Sequence, residues 1–388
     1  MPTPQQPSIA QLFISFLRLG VTAFGGPSMV VYIRKMAVEQ KGWLDADVFD
    51  DGVALCQMIP GATAMQTAAY VGLKSRGVIG AGASFIGFGL PAFLLMMVFA
   101  AAYTYTRNLS IVISAFSGLQ AIIVAVVANA MFMFGQKTLK NWELVLLAAG
   151  AAALFGLNIN PIPVILFAAL SGLVLVQKKP GTTQIGASSG RTLPAIKQLL
   201  AIILGFCLVL LPLYFFRRHL FALALSLVKI DLMAFGGGFA SVPLMFHEVV
   251  EVRSWLSSQT FLNGIILGQV TPGPIVITAT FIGYILDGWL GGLVATVSMF
   301  LPSFVMVVGI APYFERLRTL PQSHKVVEGV LCSFVGLLFT VTIRFASNVH
   351  WDWAHILLAL AAFIALRLKL DILWVILAGI VVSILLLA

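Results

Sequence analysis

Two cations stand at matching places in the chain, inside segments that are otherwise apolar. Arg18 lies in the run Phe13-Ile-Ser-Phe-Leu-Arg-Leu-Gly-Val-Thr-Ala-Phe24, and Lys229 in Leu223-Ala-Leu-Ser-Leu-Val-Lys-Ile-Asp-Leu-Met-Ala-Phe235. A cation at the centre of a membrane helix costs at least ~2.5–3.5 kcal/mol, and usually faces a bundle interior, a wet cavity or a partner. Each cation precedes a helix-breaking motif by six residues: Phe24-Gly25-Gly26-Pro27 and Phe235-Gly236-Gly237-Gly238. Glycine loosens a helix, and proline removes a donor and clashes with the preceding turn. The freed backbone groups cannot stay unpaired in lipid, so such a break is buried in protein or lines a cavity. Amides exposed where a helix restarts form an anion site. The chemistry on offer is the holding of a desolvated anion. Snorkelling of Arg18, pairing of Lys229 with Asp231, and close packing of small residues are the competing readings.

A second pair of motifs adds amide donors. Cys56-Gln57-Met58-Ile59-Pro60-Gly61-Ala62 is matched by Gly268-Gln269-Val270-Thr271-Pro272-Gly273-Pro274. Each is a broken element with a glutamine three residues before its Pro-Gly. Hydroxyl and amide residues follow: Thr63, Gln66 and Thr67 in one case, Thr278 and Thr280 in the other.

These motifs recur because the chain is duplicated. Residues 12–177 return as residues 223–388 at an offset of 211, interrupted by a one-residue insertion that is later removed. Leu90-Pro91 matches Leu301-Pro302, Gly118 matches Gly329, and Trp142 matches Trp353. A membrane protein made of two such halves is most often a transporter, with its site where the halves meet.

Composition fixes the solvent in which these elements sit. Sixty per cent of the 388 residues are apolar and only 10% are charged, and mean hydropathy is +1.03. The apolar residues fall in segments of about 20, the length a helix needs to cross a ~30 Å hydrocarbon core. Segments lie near residues 9–33, 48–73, 78–104, 110–135, 143–157 and 161–177, and again near 219–245, 260–286, 289–312, 325–346, 353–367 and 371–388. The expectation is an all-α polytopic membrane protein of about 13 transmembrane helices. Residues 1–177 form the first repeat, 178–196 a Gly/Ser-rich linker, 197–217 an unpaired connecting helix and 218–388 the second repeat.

If all six elements of a half cross, seven crossings separate repeat mates and the halves are inverted; a re-entrant second element would make them parallel. Under the thirteen-helix scheme fourteen loop cations collect on one side, among them Lys74, Arg76, Lys137, Lys140, Lys178 and Lys179, and seven on the other. The positive-inside rule then places the N-terminus and linker in the cytoplasm and the C-terminus outside. The basic loop from Arg34 to Lys41 is the exception. The opening segment has no basic residue before its apolar run and does not read as a cleavable signal.

The remaining groups carry less. The five histidines lie near expected helix ends, and Asp231 is the one acid well inside a helix, a candidate for ion or proton coupling. Cys56, Cys207 and Cys332 have no metal or disulfide spacing. No Walker-type loop, no metal set, no nucleophile–base pair and no basic run with interleaved aromatics is visible, so no cofactor, enzyme activity or nucleic-acid partner is expected.

With these motifs the chain resembles the chromate ion transporter family along nearly its whole length. The matching pieces are Phe-Gly-Gly near the start of each half, Gln-x-x-Pro-Gly at residues 57–61, the block Gly268-Gln-Val-Thr-Pro-Gly-Pro-Ile-Val-Ile-Thr-Ala-Thr-Phe-Ile-Gly283, and Phe300-Leu-Pro-Ser-Phe304. The duplicated length fits the fused two-half form. The resemblance implies a multi-pass inner-membrane protein that exports chromate and confers resistance to it. Sulfate transport and an anion channel are the alternatives. The site expected for the oxyanion comprises Arg18, Gly25, Gly26, Gln57, Pro60, Gly61, Lys229, Gly236, Gly237, Gln269, Pro272 and Gly273. Expected partners are that oxyanion, the bilayer and, as an open alternative, a second copy of the chain. One departure stands out: Pro-Gly-Ala at 60–62 against Pro-Gly-Pro at 272–274.

Overall fold

The computed structural model describes residues 6–24, 28–176, 196–314 and 321–387. All regular structure among the described residues is helical. The first half contains α1 (Ile9–Thr22), α2 (Ser28–Arg34) running into a π-turn (Lys35–Gln40), α3 (Ala46–Met58), α4 (Thr63–Thr106), α5 (Ser110–Thr138), α6 (Trp142–Gly156) and α7 (Pro161–Leu175). After α8 (Ile196–Phe216) the order repeats: α9 (Arg218–Met233), α10 (Gly238–Phe246) with a π-turn (His247–Val252), α11 (Ser258–Val270), α12 (Thr278–Ile310), α13 (Pro321–Ser347), α14 (Trp353–Arg367) and α15 (Ile372–Leu387).

Among the described residues, five helical stretches are long and apolar enough to cross a membrane: α4, α5, the 197–216 part of α8, residues 275–313 and the 324–347 part of α13. The chain is a multi-pass membrane protein. The first two elements expected in each half are not continuous spans. In both halves the second is a pair of short helices folded back on itself with the Pro-Gly break as its tip, and in the second half the first element is too, turning at Gly236 and Gly237. α3 and the first arm of α4 run antiparallel, with Gly52 against the Tyr70 ring and the Cys56 thiol bonded to Thr67. Their mates repeat the geometry, with Gly264 against Phe281 and Gly268 against Thr278. Likewise α10 doubles back beside α9, so that Ser226 donates to Glu248 at 2.8 Å.

The two longest helices are themselves tight hairpins. α4 reverses at Arg76 and Gly77 (φ +66°), and α12 at Asp287 and Gly288 (φ +56°). Only small residues let the arms touch: a Cβ on Gly72 or Gly80, or on Gly283 or Gly291, would collide with its partner's carbonyl. α1 opens with a Ser8–Gln11 capping box and buries Leu12, Phe16 and Gly20 against the second arm of α4, Phe16 meeting Phe88 edge-on at 6.4 Å.

Contacts at the helix ends set the arrangement of the halves. Arg76 donates to the Pro7 carbonyl at 2.6 Å, which puts the start of α1 at the α4 turn. Arg217 and His219 meet Asp287 at 2.9 and 3.0 Å, which puts the start of α9 at the α12 turn. From the Arg76 turn, α4 runs away and α5 returns, so Lys140 lies at the Arg76 end. From the Asp287 turn α12 runs away, so Glu328, near the start of α13, lies far from Asp287. Lys140 and Glu328 are 3.7 Å apart. The hairpins of the two halves therefore enter the bundle from opposite ends. α6, α7 and α14, each of 15 residues, reach only about 22 Å at ~1.5 Å per residue, less than the ~30 Å core. The expected linker falls almost wholly in 177–195, outside the described residues.

Candidate functional site

The Pro-Gly tip of each half bonds to the residue just before the Phe-Gly-Gly motif of the other. Gly61 N–H donates to the Ala234 carbonyl at 2.9 Å, and Gly273 N–H to the Ala23 carbonyl at 3.0 Å. Both glycines hold nearly the same backbone, φ +115° and +113°, a region that side-chain-bearing residues avoid. The reciprocal bonds satisfy amides that the breaks would otherwise leave orphaned in the bundle's interior. Pro60 and Pro272 stand beside these tips in each chain half.

A cavity of about 770 Å³ leads to this crossing. Its deep wall holds Gln57, Ala62 and Thr63 from the first half and Gly236, Gly237 and Gly238 from the second. Gly236 and Gly237 both have φ +91°, and Gly237 precedes the first turn of α10. The amino end of α10, with its partial positive charge, thus lines the cavity beside the exposed Gln57 amide. Lys137, Lys140, His324 and Glu328 line the other end, where α5 finishes and α13 begins.

The mate of Gln57 is placed differently. Gln269 is only 9% exposed, and its Nε2 has no hydrogen-bond partner. Gly25 and Gly26 lie outside the described residues.

The two intramembrane cations are not brought together at this cavity. Arg18 is exposed on α1, on the same stripe as Ile14 and Val21, which are 46% and 55% exposed. That placement lets a long side chain run along the helix toward the interface. Lys229 is 3.7 Å from Glu248, which Ser226 and Arg253 also hold. Its partner is therefore Glu248, and Asp231 is engaged elsewhere.

Asp231 is fully buried and accepts from Ser303 Oγ at 3.0 and 2.8 Å. The same hydroxyl accepts from the Ala62 N–H at 3.1 Å. A carboxyl group in α9 is thus wired through α12 to the Pro-Gly tip of the first half. This explains the departure seen in the sequence. Ala62 has an N–H and is met by Ser303. Its mate Pro274 has none, and the mate of Ser303 is Ala92, that of Asp231 Gly20. Reading Asp231, Ser303 and Ala62 as one set required knowing that Gly61 packs on Ser303 as Gly273 packs on Ala92. The unequal mates were the available signal. The charged group at the α5–α13 end had no such signal, because Lys137 and Lys140 read as ordinary loop cations.

Comparison with known proteins follows this two-half plan. The chromate transporter family model matches the chain twice, over residues 10–173 and 221–384. The chain is 40% identical over 388 residues to an uncharacterized transporter of Methanocaldococcus jannaschii, covering 100% of this chain and 96% of that protein. It is 30% identical over 372 residues to the chromate transport protein of Cupriavidus metallidurans, covering 93% and 88% respectively. With the chromate transport protein of Pseudomonas aeruginosa it shares 29% identity over 358 residues, 88% and 82% of the two chains. No solved structure matches it. Since both halves fit one family model and full-length relatives share the fused form, the chain belongs to the chromate transporter family.

Proposed function

We propose that this chain is a secondary transporter that exports chromate across the inner membrane and so confers resistance to it. The observation that carries the reading is the cavity ending at the crossed hairpin tips, where a helix amino end and the Gln57 amide can replace an oxyanion's water. Pro60 and Gly61 shape that wall, and the mates Gln269, Pro272 and Gly273 shape its counterpart. The substrate class comes from the relatives named chromate transport protein.

The two halves are inverted in the membrane, with α8 as the crossing that inverts them. The re-entrant elements come two per half, an even number, so removing them from the count of crossings leaves the inversion intact. The same re-entrance moves Arg34, Lys35 and Lys41 to the end of Lys74, Arg76, Lys137 and Lys140. The opposite end keeps Arg107, Arg217, Arg218 and Arg344 and gains Arg253. The positive-inside rule makes the first end cytoplasmic, so the cavity opens inward. Cysteines at Gln40 and Val252 should then label from opposite faces of intact cells; labelling from one face would overturn the inversion.

Direction follows from the field. Moving one charge through 100 mV is worth about 2.3 kcal/mol, so an inside-negative membrane drives a dianion outward with about twice that. Asp231, through Ser303, is the group placed to couple a second ion to movement of the first-half tip. Burial of Gln269 while Gln57 is exposed favours alternating exposure over a channel. Counterflow of labelled chromate and sulfate in proteoliposomes containing only this chain tests the reading. Chromate counterflow is expected; sulfate alone exchanging would change the substrate, and conductive flux without counterflow would mean a channel.

A further inference from the structure

The inner end of the cavity carries a charged group that the transport reading does not require. Lys137 and Lys140 sit at the end of α5, His324 and Glu328 one turn apart at the start of α13, and all four line the cavity. Lys140 Nζ and His324 Nδ1 each stand 3.7 Å from Glu328 Oε1, at ion-pair range with no hydrogen bond formed. Lys137 makes no ion pair with a described residue. The Glu328 side chain is 22% exposed, whereas those of Lys140 and His324 are 50% and 76% exposed. A carboxylate thus occupies the inner position among basic groups that reach toward it from two helices.

A lysine in the last turn of a helix complements the helix dipole, and lysines gather on cytoplasmic ends. Those tendencies account for Lys137 and Lys140, but not for a carboxylate held between basic groups at a cavity mouth. The inverted repeat supplies its own control. The mates of Lys137, Lys140, His324 and Glu328 are Asn348, Trp351, Ile113 and Ser117, none of them charged. Ser117 instead meets His355 at 3.0 Å. The mate positions do not carry this cluster; at that end the carboxylate, Glu251, is instead bonded directly by Arg344 and by His247, the latter at 2.8 Å.

We propose that Lys137, Lys140 and His324 form an oxyanion-recruiting site at the cavity mouth, in which the Glu328 carboxylate holds the place of the anion until substrate displaces it. A carboxylate and a tetrahedral oxyanion both present oxygen acceptors to the same donors, and a dianion outbids a monoanion for two cations. From the mouth, the anion passes Phe134 and Leu331 to reach Gln57 and the amino end of α10. The ligand class rests on the proposed function; the charged site itself does not.

The test is equilibrium binding of labelled chromate to the full chain in lipid nanodiscs, with proteoliposome counterflow run in parallel. Lys137→Gln with Lys140→Gln should raise Kd about five-fold or more at low salt, with a smaller effect at high salt, as expected for exposed steering charges. Glu328→Gln, which removes the internal competitor but keeps its shape, should lower Kd. An unchanged or raised Kd in Glu328→Gln, or an unchanged Kd in the double variant, overturns the site. Wild-type counterflow with unaltered Kd values would sink this inference alone. Shifted Kd values without wild-type counterflow would sink the transport reading and leave the binding site standing.

Discussion

The two halves place the same Gln-x-x-Pro-Gly motif in opposite circumstances. In the first half Gln57 is exposed to the cavity; in the second Gln269 is buried with its amide nitrogen unpartnered. The backbone frame is common to both, since Gly61 and Gly273 hold φ values two degrees apart and make reciprocal bonds to Ala234 and Ala23. What differs is what rests behind the tips. Behind Gly61 stand Ser303 and Asp231; behind Gly273 stands Ala92, with Gly20 where Asp231 would be. Duplication preserved the glycines that the geometry demands and let the polar chemistry diverge. The conformation is correspondingly one-sided.

The harshest way to break this comparison is to fill the tips. Alanine at either glycine costs roughly 1–2 kcal/mol from the left-handed backbone alone. At Gly61 the new Cβ also collides with Ser303 Oγ and lies 2.8 Å from Gln66 Nε2; at Gly273 its nearest contact is Ala92 Cβ at 2.8 Å. Gly61→Ala should therefore reduce chromate counterflow to below about a tenth of wild type, and Gly273→Ala should do less harm. Equal losses would mean that the Ser303–Asp231 side carries no special weight.

A gentler change separates frame from chemistry. Ser303→Ala strips partners from two buried groups, the Ala62 N–H and the Asp231 carboxyl, at about 1–3 kcal/mol each. Converting the whole set to its mates, Asp231→Gly with Ser303→Ala and Ala62→Pro, removes every orphan at once. Ala62 already has φ −77° and Pro274 φ −73°, so proline fits. The triple variant should melt closer to wild type than Ser303→Ala does, while losing any coupling to a second ion. A triple variant no more stable than the single one would show that the mates are not interchangeable.

How much of this was legible beforehand depends on what kind of interaction placed each residue. The breaks at Phe-Gly-Gly and Pro-Gly could be read because glycine and proline act on their own backbone. The duplication could be read because it is a pattern of identities. Whether an element crosses or turns back is a matter of contacts such as Gly52 on Tyr70 and Glu248 on Ser226, and hydropathy is blind to it, since both arms are apolar. That Lys229 pairs with Glu248 and not with Asp231 was hidden for a similar reason. Asp231 lies two residues away in sequence, but two residues along a helix point to different faces, and Glu248 reaches Lys229 from the next helix.

The glutamines themselves give a smaller, opposite-signed contrast. Gln57→Leu removes a donor from the cavity wall and should raise the Kd for chromate by about ten-fold or less, with little change in melting temperature. Gln269→Leu removes a buried unsatisfied amide and should leave the melting temperature unchanged or raise it. If Gln269 takes its turn at the substrate in the opposite conformation, the same variant slows counterflow without altering Kd in the present one. Identical behaviour of the two variants would end the argument for alternating exposure.

The smallest effect distinguishes the two α-helical reversals. The turn of α4 is tied by Arg76 donating to a backbone carbonyl, an uncharged acceptor. The equivalent turn of α12 is tied through a carboxylate. Burial works to raise the Asp287 pKa, but hydrogen bonds from His219 and Arg217, with the Arg217 charge, outweigh it and hold the group below its ordinary value of 3.8. A lowered folded-state pKa stabilises above the unfolded value, and that contribution disappears as pH falls through the folded one. Asp287→Asn should thus cost at most about 1 kcal/mol at neutral pH, because these partners are largely exposed. The gap between mutant and wild-type melting temperatures should close below about pH 4, the unperturbed aspartate range. Removing the first-half tie with Arg76→Gln should instead give a gap that does not vary with pH. A pH-independent gap for Asp287→Asn would mean that the α12 turn is held by its glycines alone, as Gly283 against Gly291 could do without any charge.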